Sequence, residues 1–432
     1  MAHGGEHELT IPRSVRRWLA AIAGVLAVAT VVGIVTLRSA DVRGGERLNL
    51  VSKVYDAQVA GTDEGPCEGT TEADNVTCTE VRFRLSQGPD KAEIIELEFP
   101  ESPTTPDLDR GDGAVLSYDP RAEPGFEYQY ADRQRRPVLF WLAVLFAVAV
   151  VLLGRLRGLA ALVGLGATVI VLLEFVLPVV LDGRSPVLVA VVGSSAIAYL
   201  ALYLAHGLRP MTTVALLGTL ASLAVTVVLA SVFTSLAEFS GLASEEAALV
   251  RLGSEAIDLS GLVLGGMVIG ALGALDDMTV TQASAVWELR SANPRLSRRA
   301  LTRSALRIGR DHVASTVNTL ALAYAGAALP VLILLVQSRQ SLGTVANSET
   351  VAVEIVRTLV GSIGLVASVP ITTWLATRVV TSATPPRDSL RRTRRPPGAA
   401  PPRPGYPAEP PPLEEQFWRR RRADVPPPEA EG

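Results

Sequence analysis

The amino-acid sequence predicts an all-α polytopic membrane protein that carries one small β-rich domain outside the membrane. Two features of the composition indicate this class. Hydrophobic residues make up 48% of the chain and charged residues only 19%. The apolar residues also fall in several uninterrupted stretches that are long enough to cross a bilayer as helices. No soluble core needs so many such stretches.

The apolar stretches predict about eight transmembrane helices, and an even number places both termini on one side of the membrane. The predicted spans are residues 18–37, 137–153, 158–181, 186–206, 211–233, 259–276, 312–336 and 351–379. The first span follows a basic start, which is also typical of a cleaved signal peptide. Because Arg38 occupies a position where a cleavage site needs a small residue, we favour an uncleaved anchor.

Arginine placement predicts which side of the membrane each loop occupies. Residues 289–311 contain seven arginines, the chain after Thr381 contains ten, and Arg157 and Arg209 lie in short turns on the same side. Short loops rich in lysine and arginine remain in the cytoplasm. Residues 38–136 instead contain 21 Asp and Glu against 12 Lys and Arg. We therefore expect a cell-membrane protein, in the inner or plasma membrane, with both termini cytoplasmic and this acidic segment outside.

The same reasoning divides the chain into five parts. These are a cytoplasmic N-terminus (1–17), an anchor helix (18–37), an extracytoplasmic β domain (38–136), a seven-helix membrane domain (137–380) and a tail (381–432). The tail holds fourteen prolines and two arginine runs without apolar periodicity, which predicts disorder. Its arginines either contact anionic lipids of the inner leaflet or only reflect the general enrichment of arginine on the cytoplasmic side.

The outer segment contains short strand-like runs separated by Gly, Pro and Asp clusters. The clearest are "LNLVSKVYDAQV", "TEVRFRLSQG", "AEIIELEF" and "AVLSYDP". About five short strands in this length predict a small β-barrel between the first and second spans, for which the OB type is a candidate. Such a barrel more often holds or senses a partner than performs chemistry.

Cys67 and Cys78 are the only cysteines of the chain. Both fall in the segment that the charge pattern places in an oxidising compartment, so a disulfide between them is expected. Two free thiols in one loop are the alternative. The pair is interpreted as structural, without a catalytic or metal-binding role.

Acidic residues inside the predicted spans are functional candidates, because an ionisable group at the bilayer centre costs about 2.5–3.5 kcal/mol. Glu174 lies deepest, and Pro178 one turn later leaves a backbone carbonyl free to bind an ion or an arginine. Alternatively, Glu174 reaches toward the interface or pairs with an arginine of another span. Glu354 lies near the outer end of the last span, which Pro370 is expected to break further in.

Asp276 and Asp277 follow a glycine-rich apolar run, and two roles are open for them. They could bind a cation or Arg310 of the next helix at the cytoplasmic end of the bundle. Alternatively, they mark where the span stops, with Asp277 as the N-cap of a following helix. The glycines that should allow close helix packing here include Gly266, Gly270 and Gly273.

The arginines of the stretch "RSANPRLSRRALTRSALRIGRDH" alternate with an apolar face, which predicts an amphipathic helix on the inner membrane surface. No aromatic residues that could stack on bases interleave with these arginines, so nucleic acid is not expected as a partner. Anionic lipid is the more suitable partner for this surface.

Three stretches resemble the YibE/F-like membrane protein family over roughly residues 137–380. They are "GALGALDDMTVTQASAVWEL", "NPRLSRRALTRSALRIGRDHVASTVNTLALAYAGAALP" and "SETVAVEIVRTLVGSIGLVASVPITTWLA". The resemblance implies a polytopic bacterial architecture and no particular activity. It also implies signature positions at Asp276 or Asp277, Glu288, Gly309, Arg310, Asp311, Asn318, Thr319 and Pro330.

Two functions compete on these observations. A gradient-driven transporter or permease needs glycine-thinned, proline-broken helices with buried acids that couple a cation to a solute, and this is the leading hypothesis. The alternative is an assembly or signalling module whose outer domain binds a partner. We expect the lipid bilayer, and either a second copy or a partner membrane subunit, as further contacts.

An enzyme is not expected, because known membrane-enzyme patterns are incomplete. "GALD" is similar to the Gly-x-Gly-Asp of intramembrane aspartyl proteases, but a partner aspartate on another span is lacking. The chain also lacks HExxH and Gly-x-Ser-x-Gly patterns on a span. No ATP-binding loop and no cofactor signature occur, so transport would depend on a gradient or on an external ATPase subunit.

Overall fold

The structure, a computed structural model, is mostly helical and describes residues 11–38, 53–67, 77–103, 105–123, 125–243, 245–253, 257–337 and 339–383. The predicted disordered tail beyond residue 383 therefore lies outside the described residues. The helices are α1 (Arg13–Leu37), α2 (Arg136–Val171), α3 (Leu177–Leu181), α4 (Pro186–His206), α5 (Pro210–Leu236), α6 (Glu245–Gly253), α7 (Leu259–Ala292), α8 (Arg298–Ala327), α9 (Leu329–Gln337), α10 (Leu342–Asn347) and α11 (Glu349–Thr381), with a π-helical turn (Leu172–Val176) between α2 and α3.

Within the described residues, six helical segments are long and apolar enough to cross a membrane. They are α1, the segment from α2 to α3, α4, α5, α7 and α11. The pair α8 and α9, bent by 64° at their junction, makes a seventh when the two count as one span. These long apolar helices support the multi-span class that hydropathy predicts.

The longest segment, Arg136–Leu181, has 46 residues and is sharply bent at Arg155. Arg155 has a φ of 53° and lies outside the helical region. Just beyond the bend, a Cβ on Gly158 would meet the carbonyl oxygen of Val150. In a straight helix, residues eight positions apart are separated by about 12 Å along the axis, so the chain must turn back at this point.

Helices α5, α7 and α11 pack mutually and form the centre of the bundle, with α4 against α7 and α8 against both α7 and α11. Leu223, Val268 and Leu365, one from each central helix, are buried in its apolar core. Two glycines allow the central helices to approach closely. A Cβ on Gly218 would overlap Thr372 Oγ1, and one on Gly364 would overlap Thr226 Oγ1.

The glycines of α7 divide into two groups, which corrects the packing expected from sequence. Gly261 and Gly265 lie against Pro186 of α4, while a Cβ on Gly270 would lie 3.3 Å from the Tyr324 hydroxyl. A Cβ on Gly266 or Gly273 would meet no atom within 4 Å. Both of these glycines are exposed.

The outer segment forms one five-stranded antiparallel sheet in the order β3-β2-β1-β4-β5. The strands are β1 (Lys53–Pro66), β2 (Thr77–Leu85), β3 (Ile94–Pro100), β4 (Gly113–Tyr118) and β5 (Tyr128–Arg133). Alternate residues such as Val81, Phe83 and Leu85 enter its core, as the period of a half-buried strand requires. The sheet curls, since Phe99 of β3 meets Tyr130 of β5 with ring centroids 5.7 Å apart.

Two further contacts stabilise this domain. Cys67 and Cys78 form a disulfide that joins the end of β1 to β2. The Tyr128 hydroxyl donates a 2.6 Å hydrogen bond to Asp90 Oδ2. Burial of the ring, followed by the hydrogen bond and the negative charge of Asp90, raises the pKa of the Tyr128 phenol well above its ordinary value.

We predict opposite effects of adding a methyl group to Gly364 and to Gly273. Gly364→Ala introduces an overlap with Thr226 in a close-packed interface and should destabilise the folded protein by about 1–3 kcal/mol. Gly273→Ala has open space and gains helix propensity of up to about 1 kcal/mol. Thermal unfolding of the two variants in one detergent measures the difference. Equal melting temperatures would contradict the packing described here.

Candidate functional site

A band of small polar side chains lies in the centre of the bundle, where α5, α7 and α11 meet. These side chains are buried even though the helices that carry them are apolar. They are Thr219, Ser222 and Thr226 on α5, Thr279 and Gln282 on α7, and Ser368, Thr372, Thr373 and Thr377 on α11. Several donate to a carbonyl of their own helix, as Ser222 does to Gly218 over 2.8 Å.

Gln282 connects three helices within this band. Its Nε2 donates to the carbonyl oxygen of Ala305 on α8 over 2.9 Å and to Thr373 Oγ1 on α11 over 2.6 Å. The hydroxyl oxygens of Thr219 and Thr279 lie 2.6 Å apart and connect α5 to α7. A polar group in an apolar bundle needs such partners, because no water replaces them there.

Helix α7 continues without interruption through Asp276 and Asp277 to Ala292. The aspartates therefore lie within the helix, and the interpretation of Asp277 as the N-cap of a following helix is wrong. The N-cap of α7 is Asp258, whose Oδ1 accepts from the Gly261 backbone N–H over 2.9 Å. Residues 277–292 contain no glycine or proline that would stop the helix.

Asp276 is largely buried, and its Oδ1 has no hydrogen-bond partner among the described residues. Leu272 and Val280, one turn to either side, pack with Leu202 of α4 and Leu216 of α5. The carboxylate therefore shares the face of α7 that meets α4 and α5. An unpaired buried acceptor costs about 1–3 kcal/mol, and more when the group is charged. A proton or a cation would relieve this cost.

Asp277 points to a different face of α7, as adjacent residues on a helix must. Its side chain is 67% exposed, and its Oδ2 lies 3.5 Å from Nε2 of His312 on α8. The expected interaction of the aspartate pair with Arg310 is thus replaced by one with His312, while Arg310 is exposed. The two aspartates consequently have different environments, although they are neighbours in sequence.

Glu174 lies in the π-helical turn just before Pro178, and its side chain is exposed. Pro178 has no backbone N–H to donate to the Glu174 carbonyl, which explains why the helix widens here. The inward positions of this turn are taken by Phe175 and Val176. Glu174 is therefore central along the predicted span but does not point into the bundle.

Glu354 of α11 is half-buried and pairs with Arg357, with Oε1 and Nη1 3.0 Å apart. Arg357 is a functional candidate that the sequence interpretation missed. Its Nε is buried and has no hydrogen-bond partner among the described residues. Pro370 lies inside the same helix, which stays continuous from Glu349 to Thr381, so the break expected at Pro370 does not occur.

Among the remaining signature positions, Gly309 is buried, and a Cβ there would overlap Val369 of α11 and Gln282 of α7. The others lie near the surface of the chain. Asp311, Asn318 and Thr319 are exposed on α8, and Glu288 is exposed near the end of α7. Pro330 follows the 64° bend between α8 and α9, where a proline cannot continue the helix hydrogen bonding. The described residues contain no group of three or more His, Cys, Asp or Glu side chains that could hold a metal ion.

Long apolar helices around a buried polar band indicate a multi-span membrane protein. It belongs to the YibE/F-like protein family, whose sequence profile matches residues 142–382. That range includes most of α2, all of the helices from α3 to α11, and every polar residue of the band. No curated protein and no solved structure matches the chain. The family match supplies no biochemical activity.

We predict that Gln282 and Thr373 stabilise the bundle as a coupled pair. Gln282→Leu removes the donor to both Ala305 and Thr373, and Thr373→Val removes one acceptor. Because the two side chains share a hydrogen bond, the double variant should lose less stability than the sum of the single variants, by about 0.5–1.5 kcal/mol. Unfolding of all four proteins in detergent measures this coupling, and strict additivity would contradict it.

Proposed function

We propose that the protein is a gradient-driven transporter of the cell membrane, in which Asp276 couples a proton or a cation to movement of a solute. The observation that carries this proposal is the buried Oδ1 of Asp276, which lacks a donor among the described residues. A carboxylate in such a place binds a cation or a proton when it is available. No catalytic role is proposed for any residue.

The surroundings of Asp276 support transport over a purely structural role. A structural carboxylate in a bundle is normally paired with a basic side chain. Asp277 meets His312 and Glu354 meets Arg357, whereas the pairs formed by described residues include none for Asp276. The neighbouring band of hydroxyl groups gives α5, α7 and α11 a polar interior, as solute pathways between helices require.

We further propose eight spans with both termini in the cytoplasm. The segment Arg136–Leu181 would measure about 69 Å as a straight helix, more than twice the hydrocarbon thickness of about 30 Å. Its bend at Arg155 supports two spans joined by a short inner turn. Counting α8 and α9 as one bent span completes the eight, and this topology keeps the arginine-rich start of α8 inside.

An OB-type barrel remains the proposal for the outer domain. The strand order places β3 and β5 at opposite edges of one sheet, and the contact between Phe99 and Tyr130 brings these edges together. A five-stranded, partly open barrel of this kind usually binds a partner through one face. The sheet itself supplies no candidate for catalysis.

The alternative function, an assembly or signalling module, is favoured by a separate observation at the base of this domain. Asp56 of β1 accepts hydrogen bonds from Gln87 and from Gln134, and forms an ion pair with Arg136 at 3.1 Å. Only Gln134 and Arg135 separate β5 from α2. A partner bound to the sheet could therefore act directly on the first helix of the membrane domain.

Proposed partners follow from the exposed residues of α8. Arg299, Arg303 and Arg307 are exposed near its start, which suits contact with anionic lipids of the inner leaflet. Asn318 and Thr319 are exposed further along α8. Because lipid chains cannot satisfy an amide group, a second copy or a partner membrane subunit is proposed to cover this face.

The topology can be tested with single added cysteines and a thiol reagent that does not cross membranes. Gly154→Cys and Ser291→Cys should react only after the cells are opened, because both belong to inner turns in the eight-span topology. Ser185→Cys should react in intact cells. Gly154 suits this experiment because a Cβ there meets no atom within 4 Å, so the added side chain should not disturb the packing. Labelling of Gly154→Cys from outside, or its complete protection in opened cells, would contradict the hairpin.

The coupling proposal predicts different outcomes for the two neighbouring aspartates. Metabolite comparison of cells with and without the gene identifies the solute, and its uptake into membrane vesicles under an imposed proton or sodium gradient is then measured. Asp276→Asn should reduce gradient-driven uptake to background, because the amide keeps the shape of the side chain but cannot bind the coupling ion. Asp277→Asn, the matched control, should retain most of the uptake.

Two results would count against the coupling proposal. Full uptake by Asp276→Asn would remove the coupling role and move the assembly or signalling module into first place. Absence of any gradient-driven solute uptake by the unsubstituted protein would remove transport itself. Expression and melting temperature of each variant must match those of the unsubstituted protein for either result to apply.

A further inference from the structure

A cavity of about 670 Å³ lies at the proposed cytoplasmic end of the bundle. Its walls come from three separate parts of the chain, namely α2, the turn between α4 and α5, and the last part of α7. The polar side chains that line it are Arg157, His206, Arg209, Thr281, Ser284 and Glu288. None of these except Glu288 was a candidate from sequence.

The charge of this cavity favours an anion. Arg157 and Arg209 each carry a guanidinium group, which matches carboxylate and phosphate oxygens through paired hydrogen bonds. The hydroxyl groups of Thr281 and Ser284 add further donors. Glu288 is the only carboxylate among the lining residues. The positive-inside rule accounts for arginines on this side of the membrane, but not for their convergence on one cavity.

We propose that this cavity binds a small oxyanion, a solute or head group that carries a carboxylate or phosphate group. Arg157 and Arg209 hold its oxygens from two sides, and Thr281 and Ser284 lie on the wall formed by α7. A volume of about 670 Å³ falls within the range of about 300–1,000 Å³ that is usual for small-molecule sites.

The cavity lies close to Asp276 along α7. Val280 lines the cavity and also belongs to the apolar cluster in which Leu272 is buried. Asp276 is one helical turn from Val280. A charged Asp276 carboxylate would repel an anion that leaves this cavity for the membrane interior, and a proton or cation bound at Asp276 removes that repulsion. This inference rests on the proposed transport function and names its substrate class.

Two sources could supply the same chemical group. A free metabolite or inorganic phosphate could enter from the cytoplasm. A phospholipid could also present its phosphate, because Arg209 borders a second groove of about 370 Å³ that is lined by Arg16 and by apolar residues of α1. The binding experiment therefore needs one arm for soluble anions and one for lipid.

The test uses the full-length protein purified in a neutral detergent. Calorimetry measures binding of inorganic phosphate and of succinate in the first arm. In the second arm, the protein is placed in nanodiscs of phosphatidylcholine with or without phosphatidylglycerol, and retained anionic lipid is measured by mass spectrometry. Each arm compares the unsubstituted protein with Arg157→Gln, Arg209→Gln and Arg209→Lys. Arg184→Gln, at the opposite end of α4, is the matched control.

We expect saturable binding in one arm, weakened about tenfold or more by either glutamine substitution. Arg209→Lys should bind more tightly than Arg209→Gln because it keeps the charge, and Arg184→Gln should bind as the unsubstituted protein does. Absence of saturable binding in both arms would overturn the proposal. Equal binding by all folded variants would overturn it as well.

The binding test is independent of the transport test. Oxyanion binding that depends on Arg157 and Arg209 supports the site even when Asp276→Asn leaves uptake unchanged, in which case the coupling proposal alone fails. Uptake that requires Asp276 in a protein without oxyanion binding would remove the site and leave coupling in place.

Discussion

The structure depends on one constraint, which is that polar groups inside an apolar bundle must find their partners within the protein. Most buried hydroxyl groups of α5, α7 and α11 meet this constraint at short distances, whereas Thr234, Ser362 and Thr372 have no hydrogen-bond partner among the described residues. Gly218 and Gly364 let the helix backbones come close enough for the buried threonines to fit between them. Gln282 then satisfies a carbonyl of α8 and a hydroxyl of α11 at once. The close packing and the polar band are thus two consequences of the same requirement.

Asp276 departs from this constraint. In the same bundle, Ser222, Thr226 and Thr279 have protein acceptors for their hydroxyl groups, whereas one oxygen of the Asp276 carboxylate has no donor among the described residues. An exchangeable ligand that supplies the missing partner is one reason for a protein to keep a buried carboxylate in this state, and it is the reason proposed for Asp276. The neighbouring Asp277 shows the contrast, because it is exposed and lies beside His312.

The sequence was sufficient for features that depend on composition along the chain. The apolar segments, the four quoted strand runs and the pairing of Cys67 with Cys78 all required only local pattern and compartment. The sequence was insufficient where the environment of a residue depends on which face of its helix it occupies. Glu174 lies in the middle of an apolar run, yet Phe175 and Val176 take the inward positions beside it. Hydropathy shows where a residue lies along a predicted span, but it says little about whether that residue faces the bundle or the lipid.

The end of α7 shows a second limit of sequence interpretation. Asp276 and Asp277 made this part of the sequence resemble the end of a span followed by a second helix capped by Asp277. In the structure the helix continues, because Thr279 and Gln282 are buried against α5, α8 and α11. Such partners belong to distant parts of the chain, so the burial of Gln282 could not be inferred locally. For the same reason, the sequence did not indicate that Arg157 and Arg209 line one cavity.

The central claim is that the Asp276 carboxylate exchanges a proton or a cation, and infrared difference spectroscopy of the purified protein tests it most directly. Spectra recorded while pH or sodium concentration is changed report carboxyl groups that alter their protonation or ion binding. The account predicts a carboxyl signal in the unsubstituted protein and in Asp277→Asn that is absent from Asp276→Asn. Identical difference spectra for the unsubstituted protein and Asp276→Asn would contradict it.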